Sequence, residues 1–310
     1  MRSADGPREP EAEGRTRGSG SGGETPPKAE GTMTTLTGLI GYPLDHSLSP
    51  RIHSYWIKQY SVDAEYKLFT TPPARVRQIV KRLRDKQAVG FNVTIPHKLA
   101  VMDYLDTMDT TATRIGAVNT VIIKDGIATG TNTDAYGFIT NLREGLTGSI
   151  DGDITLALTN VVLLGAGGAT RAAIVALRDA GAKTITLSNR SSDKANALAE
   201  EFSCTSIPWE EKNAALNAAT LLINTTSLGM QHQPPLDLDL SALRAHAAVH
   251  DIVYAPLETE LLKTARQRGH PAVDGLGMLL YQAQKAFELW HGVLPAVTAE
   301  LRAHVLEPHP

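Results

Sequence analysis

Short apolar runs alternate with longer amphipathic stretches along the chain from Leu36 onward. The runs predict β-strands, and the stretches, which carry apolar residues at helical spacing, predict α-helices. The predicted strands cover residues 36–41, 64–68, 90–95, 117–123, 127–130, 161–164, 184–187, 221–224 and 249–254. The predicted helices cover residues 51–60, 73–86, 97–105, 136–144, 169–180, 195–202 and 278–290.

The regular alternation of strand and helix is typical of an α/β protein whose parallel strands are joined by right-handed crossovers. The run Val161-Val162-Leu163-Leu164 is apolar throughout, as expected for a parallel strand covered on both faces. Asp125-Gly126 separates two strand-like runs and predicts a two-residue hairpin turn. Ser49, directly before Pro50, is predicted to be the N-cap of the first helix. The sequence therefore predicts an α/β fold built on parallel strands.

Residues 1–32 differ from the rest, because they contain no Val, Ile, Leu or aromatic residue. Such a stretch buries too little apolar surface to offset its ordering entropy, and we expect a disordered tail. It lacks the apolar core of a secretory signal, and its six acidic residues argue against a transit peptide. Met33 is a possible alternative start. The folded protein is then expected to comprise about 278 residues.

Composition excludes several classes of function. The chain is 42% hydrophobic and 20% charged, with a formal net charge of -3, so it offers no basic field for nucleic acid and no polybasic membrane anchor. No apolar run is long enough to span a membrane. The single cysteine, Cys204, and the absence of an H-E-x-x-H pattern argue against a disulfide framework and a metal site. We expect a cytoplasmic protein that binds a small molecule.

The segment Gly165-Ala166-Gly167-Gly168-Ala169 stands between an apolar strand and a helix, where a dinucleotide fingerprint is expected. The first glycine allows the tight turn, and the second lets the backbone approach a pyrophosphate at the helix N-terminus. The segment departs from the G-x-G-x-x-G form at the third glycine. An ordinary glycine-rich turn is the alternative.

The end of the next predicted strand bears on which dinucleotide binds. NAD-binding folds place Asp or Glu there for the ribose 2′-hydroxyl, whereas this chain has Ser188-Asn189-Arg190-Ser191. A guanidinium can bind a 2′-phosphate with two hydrogen bonds, and Lys194 adds a second positive charge one turn later. We therefore expect NADP rather than NAD, with a solvated Arg190 as the alternative.

Three further segments carry polar side chains at predicted strand or helix ends. Ser47 and Ser49 precede a helix and could hold a carboxylate, although two ordinary cap residues are the simpler interpretation. The segment 92–98 places Lys98 at the start of a predicted helix. Asp134 follows a strand and could be either a helix cap or a catalytic carboxylate.

Taken together, these motifs resemble the shikimate dehydrogenase family. The matching segments, in the order of the family, are residues 47–50, 90–98, 116–120, 132–134, 165–169, 189–191 and 274–278. The resemblance spans roughly residues 36–300. It implies a substrate-binding domain of residues 33–134 with 275–310, and an inserted Rossmann-type NADP-binding domain of residues 135–274.

The resemblance also implies roles for individual residues. Lys98 and Asp134 would be the catalytic pair. The substrate-binding residues would be Ser47, Ser49, Thr94, Asn119, Tyr254 and Gln282. The cofactor-binding residues would be Gly165, Ala166, Gly167, Gly168, Ala169, Asn189, Arg190, Ser191, Lys194, Ile252 and Gly275. The family usually has Thr where Ser191 stands, and often Arg where Lys194 stands.

The implied reaction is the NADPH-dependent reduction of 3-dehydroshikimate to shikimate in aromatic amino-acid biosynthesis, by a monomer or a homodimer. Lys98 would donate the proton, and Asp134 would orient the Lys98 side chain. Two alternatives stay open. One is a quinate/shikimate dehydrogenase with broader substrate or NAD use, and the other is a non-catalytic NADP-binding regulatory module.

Overall fold

The structure is a computed structural model that describes residues 34–147 and 159–308. The predicted tail, residues 1–32, lies outside the described residues. Two six-stranded sheets account for the strands of this part of the chain. The first is built from residues 35–131 and the second from residues 160–273, so the sheets follow each other along the chain.

The first sheet is mixed. Its strands are β1 (Thr35–Gly41), β2 (Ala64–Thr70), β3 (Gly90–Val93), β4 (Thr107–Met108), β5 (Thr120–Lys124) and β6 (Ile127–Thr131), in the order β2-β1-β3-β5-β6-β4. Strands β1, β2 and β3 run parallel, whereas β5 is antiparallel to both β3 and β6. The predicted hairpin at Asp125-Gly126 is confirmed, and both residues have a positive φ.

The second sheet is entirely parallel. Its strands are β7 (Asn160–Leu164), β8 (Thr184–Ser188), β9 (Thr205–Ile207), β10 (Leu221–Asn224), β11 (Ala248–Asp251) and β12 (Ala272–Val273), in the order β12-β11-β10-β7-β8-β9. This is the doubly wound order of a Rossmann fold, in which the strand order changes direction between the neighbouring strands β7 and β10. The predicted α/β class with a Rossmann-type part is therefore confirmed.

Ten α-helices connect and cover the sheets in the described residues. They are α1 (Ser49–Gln59), α2 (Val76–Asp85), α3 (Thr110–Ile115), α4 (Asp134–Leu146), α5 (Gly168–Asp179), α6 (Ser192–Phe202), α7 (Lys212–Ala215), α8 (Glu260–Gln267), α9 (Leu276–His291) and α10 (Ala299–Leu306). None of the helices in this part of the chain combines the length and the apolar character that crossing a membrane requires.

Strand β7 shows why its apolar run is continuous. Val161 and Leu163 pack into the core beneath α4 and α5, whereas Val162 and Leu164 pack into the core on the opposite face. Both faces of β7 are covered, so apolar side chains fill both sets of alternating positions from Val161 to Leu164. A separate core joins α1, α9 and α10 around Trp56 and Phe287.

Two sequence predictions about helices are wrong, one about the start of α1 and one about the helix 97–105. Leu48, not Ser49, precedes α1; Ser49 is its first helical residue, and its backbone N–H donates to Ser47 Oγ at 3.3 Å. The predicted helix 97–105 is only a 3-10 turn at Ala100–Tyr104. The Lys98 carbonyl accepts from Val118 N at 2.8 Å, so a neighbouring segment takes the bond that a longer helix would need.

Several short elements carry no sequence signal. Strands β4, β9 and β12 contain two or three residues each, too few for an alternation of apolar and polar positions. Helices α3, α7, α8 and α10 were likewise not predicted.

Candidate active site

Lys98 and Asp134 form the centre of the site. Lys98 lies in the turn after β3, and Asp134 is the first residue of α4. The Lys98 Nζ donates to Asp134 Oδ2 at 2.5 Å, and the two side chains are 16% and 6% exposed. Thr133, not Asp134, occupies the N-cap position, so the cap interpretation of Asp134 is wrong. The pair is shielded from water, where a charge interaction is stronger than at the surface.

Asn119 binds the second oxygen of the same carboxylate. Its Nδ2 donates to Asp134 Oδ1 at 2.8 Å and to Gln282 Oε1 at 3.3 Å. Its Oδ1 accepts from the backbone N–H of Thr133 at 2.7 Å, which determines the direction in which the amide faces. Asp134 is thereby held from two sides, by Lys98 and by Asn119.

Gln282 reaches this centre because α4 and α9 cross closely. A Cβ at Gly137 of α4 would lie 2.6 Å from the Met278 carbonyl and 2.7 Å from Gln282 N, so only glycine allows this approach. The Gln282 Nε2 donates to Leu279 O at 2.9 Å. Residues more than 160 positions apart in the sequence, Asn119 and Gln282, therefore share one cluster.

The serine segment and Thr94 follow neighbouring strand ends. The Thr94 backbone N–H donates to Ile40 O at 2.9 Å, and Tyr42 N donates to Ile95 O at 3.1 Å, so the loops after β1 and β3 lie side by side. Ser49 is buried, with 7% of its surface exposed, and Ser47 is half-buried. Parallel strands bring both loops to one edge of the sheet.

Tyr254 packs against the core shared by α1, α9 and α10. It is half-buried in the apolar cluster that contains Ile52, Trp56 and Leu280. Burial raises the pKa of its phenol, which stays protonated at neutral pH.

The glycine loop after β7 has the geometry of a phosphate cradle. Gly165 has φ +124°, a conformation that side chains rarely adopt, and a Cβ there would lie 2.5 Å from Thr225 Oγ1. A Cβ at Gly167 would meet nothing within 4 Å, so the loop backbone opens onto free space. The N-terminus of α5, a helix of 12 residues, begins at Gly168 and presents N–H groups to that space. Ala166 and Ala169 flank these positions.

Arg190, Ser191 and Lys194 lie exposed where β8 meets α6. The Gly165 N–H donates to Ser188 O at 2.9 Å, so this junction is adjacent to the glycine loop. Asn189 Nδ2 donates to Ser191 O at 3.0 Å and shapes the turn. Across residues 34–147 and 159–308, no carboxylate forms an ion pair with either cation. The accessible backbone at Gly167, the N-terminus of α5 and the side chains of Arg190 and Lys194 together fit a dinucleotide that carries a phosphate group.

Ile252 and Gly275 meet on the other side of the β7 end. Gly275 precedes α9, and a Cβ there would collide with the carbonyl of Ile252 and lie 2.7 Å from that of Val253. The close approach brings the end of β11 and the start of α9 together. The two predicted cofactor residues are therefore neighbours.

Tyr66 and Thr120 belong to the same cluster. The sequence did not single out Tyr66, and Thr120 entered only as the end of the matching segment 116–120, with no role assigned. Tyr66 OH donates to Asn92 Oδ1 at 2.8 Å, and Thr120 Oγ1 donates to Asn119 Oδ1 at 3.0 Å. Tyr66 lies on β2, an edge strand of the first sheet, and Thr120 lies on the inner strand β5. Both occupy buried positions where an apolar residue would also fit, so no local pattern marks them. Cys204 is half-buried, and burial raises the pKa of its thiol.

Three family models match the chain. A shikimate dehydrogenase substrate-binding domain matches residues 39–121, a shikimate/quinate 5-dehydrogenase domain matches 150–232, and a shikimate 5′-dehydrogenase C-terminal domain matches 275–303. A relative from Paramagnetospirillum magneticum, named shikimate dehydrogenase (NADP(+)), is 46% identical over 276 residues, covering 87% of this chain and 98% of its own. A relative of the same name from Rhodospirillum rubrum is 45% identical over 278 residues, covering 87% and 96%.

Solved structures show the same similarity. Shikimate dehydrogenase from Aquifex aeolicus has a TM-score of 0.80 at 34% identity, covering 89% of this chain and 99% of its own. The enzyme from Thermus thermophilus, in complex with NADP(H) and shikimate, has a TM-score of 0.77 at 35% identity, covering 87% and 98%. Quinate dehydrogenase from Corynebacterium glutamicum, in complex with NAD, has a TM-score of 0.80 at 32% identity, covering 88% and 99%. On the strength of the near-complete match to relatives at 45–46% identity, the chain belongs to the shikimate dehydrogenase family.

Proposed function

We propose that this protein catalyses the reversible, NADPH-dependent reduction of 3-dehydroshikimate to shikimate in aromatic amino-acid (chorismate) biosynthesis. The observation that carries the proposal is the shielded Lys98–Asp134 pair, which lies next to the glycine loop and also binds Asn119. The reduction of a ketone needs a proton donor close to the carbonyl oxygen and close to the reduced cofactor. The relatives at 45–46% identity carry the name of this activity.

Lys98 is the proposed proton donor. When bound, NADPH supplies the hydride. The carbonyl oxygen then gains negative charge, which the Lys98 ammonium group stabilises before it gives up a proton to that oxygen. Asp134 accepts from Lys98 Nζ at 2.5 Å and orients the ammonium group. Its other oxygen is engaged by Asn119, so the carboxylate cannot swing away.

Substrate recognition is assigned to residues around this pair. Ser47 and Ser49 would bind the carboxylate of the substrate through their hydroxyl groups and the N–H groups that begin α1. Thr94, Asn119, Gln282 and Tyr254 would contact the ring hydroxyls and neighbouring groups. Asn119 and Gln282 already contact each other at 3.3 Å, which supports a shared role.

Cofactor recognition is assigned to the second sheet. The glycine loop, residues 165–169, would bind the pyrophosphate, and Asn189, Arg190, Ser191 and Lys194 would bind the 2′-phosphate. Ile252 and Gly275 would line the nicotinamide side. The proposed domains follow from this division: residues 33–134 with 275–310 bind the substrate, and residues 135–274 bind NADP. The position of α9 supports the return of the chain to the first domain, because α9 packs against α1 and contacts β5 of the first sheet.

A quinate/shikimate dehydrogenase is the second candidate, and the similarity to the NAD-bound quinate dehydrogenase favours it. Arg190 at the end of β8 argues for NADP, because a guanidinium complements a phosphate and not a free hydroxyl. Initial rates with shikimate and quinate, each with NADP and with NAD, distinguish the two. We expect shikimate with NADP to give the highest kcat/KM; equal or higher values with quinate or NAD would favour the alternative. Binding of substrate and NADPH without turnover would indicate a regulatory module.

We further propose that the protein acts in the cytoplasm as a monomer or a homodimer, without nucleic-acid or membrane partners and without a metal. Light scattering coupled to size-exclusion chromatography tests this oligomeric state, and a tetramer or larger assembly would contradict it. Retention of full activity after dialysis against a chelator tests the independence from metal.

A further inference from the structure

Tyr66 begins a line of buried polar groups that leads to the site. It lies on β2, and only 8% of its surface is exposed. Its ring stacks on His53, with the ring centroids 4.1 Å apart and the planes 4° from parallel. Burial raises the pKa of the phenol, so its O–H remains available as a donor. That O–H donates to Asn92 Oδ1 at 2.8 Å.

Asn92 connects Tyr66 to residues on the other side of β3. It lies on β3, which pairs with β1 on one side and with β5 on the other. Its Nδ2 donates to Thr120 Oγ1 at 3.1 Å and to the Asn119 carbonyl at 3.4 Å. A carbonyl can only accept, so Nδ2 must face β5 and Oδ1 must face Tyr66. The direction of both hydrogen bonds follows.

Thr120 completes the line. Because its Oγ1 accepts from Asn92, its own hydrogen is free to go to Asn119 Oδ1, 3.0 Å away. Asn119 then directs Nδ2 to Asp134 Oδ1 at 2.8 Å. We call Tyr66, Asn92, Thr120 and Asn119 the Tyr66 chain. Each member donates to the next, and the last donates to the carboxylate that binds Lys98.

The side chains of the Tyr66 chain have very little access to water that could replace a lost partner. Thr120, Asn119 and Asn92 are 0%, 2% and 4% exposed. A buried polar atom that loses its hydrogen bond must find another partner inside the protein, because an unsatisfied group is costly. Removing one donor therefore loosens the position of the groups that follow it, although Asn119 Oδ1 keeps its hydrogen bond from the Thr133 N–H.

We propose that Tyr66 and Thr120 are positioning residues for the reaction, which act through Asn119 on the Asp134 carboxylate and hence on Lys98. This inference rests on the proposed function of the Lys98–Asp134 pair. Tyr66 reaches Asp134 only through three intervening side chains. Its contribution is therefore to hold the proton donor in place.

Two conservative substitutions test the proposal. Tyr66→Phe keeps the stack on His53 and removes only the hydroxyl, and Thr120→Val removes the hydroxyl with little change of shape. We expect each to lower kcat about tenfold, with KM for NADPH within about twofold of wild type, and Thr120→Ser to restore most of kcat. Unchanged kcat in both variants would overturn the proposal.

The double variant separates positioning along one chain from two independent effects. If both hydroxyls act through the same chain, the double variant should lose about as much kcat as either single variant, whereas independent effects should multiply to about 100-fold. Tyr281→Phe is the matched control, because its phenol donates to Glu144 Oε2 at 2.6 Å outside the Tyr66 chain. We expect kcat of this control to lie within about twofold of wild type. When Tyr281→Phe is combined with Thr120→Val, the fold-changes in kcat of the two single variants should multiply.

A measurement that needs no turnover keeps the proposal separate from the proposed function. The side-chain amide resonances of Asn119, identified by their loss in Asn119→Asp, should shift in Tyr66→Phe and stay in place in Tyr281→Phe. Unshifted resonances in Tyr66→Phe would contradict the Tyr66 chain. Absence of turnover in the wild-type protein would contradict the proposed function. The amide resonances would still decide whether removal of the Tyr66 hydroxyl affects Asn119 through the Tyr66 chain.

Discussion

Gly168, the third glycine of the loop after β7, lies against the side chain of Lys98: a Cβ at this position would be 3.4 Å from Lys98 Cδ and 3.9 Å from Lys98 Cβ. The proposed proton donor comes from the first sheet, and the proposed cofactor loop comes from the second. Their contact places the two chemical functions of the reaction side by side. It also explains how residues 98 and 168 serve one step although separate sheets hold them.

The clearest test of the site is Lys98→Ala. The ammonium group is the only proton donor that we assign, so we expect kcat to fall by about 10²–10⁴ while KM for 3-dehydroshikimate changes far less. Steady-state kinetics at saturating NADPH measure both. Lys58→Ala, an exposed lysine on α1, is the control and should keep wild-type kcat. An unchanged kcat in Lys98→Ala would remove Lys98 from the mechanism.

Arg190→Ala tests the assignment of the 2′-phosphate. Loss of a charge-assisted hydrogen bond should raise KM for NADPH about tenfold or more and leave KM for NADH almost unchanged, because NADH lacks the phosphate. Arg268→Ala, an exposed arginine after α8, is the matched control. Equal weakening of both cofactors by Arg190→Ala would mean that Arg190 does not recognise the phosphate.

The first two glycines of the loop should respond differently to alanine. Gly165→Ala meets both a positive φ and Thr225 Oγ1 at 2.5 Å, so we expect a loss of about 1–3 kcal/mol in the free energy of unfolding. Gly167→Ala meets nothing within 4 Å, so the free protein should keep its stability, but the new methyl group occupies the space where a pyrophosphate would approach.

Urea unfolding and NADPH titration, performed on both glycine variants, check this contrast. Tight NADPH binding by Gly167→Ala would exclude the loop as the phosphate site. A wild-type free energy of unfolding for Gly165→Ala would show that the turn relaxes without cost.

Asp251 predicts a pH dependence of stability. It lies buried at the end of β11 and accepts from Asn224 Nδ2 at 3.0 Å, Val253 N at 3.0 Å and Thr259 Oγ1 at 2.7 Å. Burial raises its pKa from 3.8 to about 6, against these three donors. A raised pKa means that the fold favours the protonated form. Its contribution to stability is therefore full below pH 3.8 and is lost as the pH rises through about 6.

Asp251→Asn should remove this dependence. We expect the free energy of unfolding of the wild type, relative to the variant, to fall by about 2 kcal/mol between pH 4 and pH 7. Urea unfolding at a series of pH values measures the difference. Asp237→Asn, at an exposed carboxylate, is the control and should show no such trend. A constant difference between wild type and Asp251→Asn would contradict the raised pKa.

The sequence by itself determined the parts that depend on local pattern. The continuous apolar run of β7, the glycine loop after it and the Asp125-Gly126 hairpin follow from rules that act over a few residues, and the structure confirms all three. The ordered motifs also determined the family, because polar segments at many strand ends are far more specific together than any one of them.

Only the tertiary structure decided how these parts meet. Whether Asp134 caps a helix or binds Lys98 depends on a partner 36 positions away in the sequence. The residues around Asp134 favoured neither role over the other. The order of the sheets, the α4–α9 crossing at Gly137 and the Tyr66 chain depend likewise on packing between distant segments. A hydrogen bond between two distant side chains leaves no periodic trace along the chain, because its geometry is created only when the strands and helices that carry those side chains are assembled.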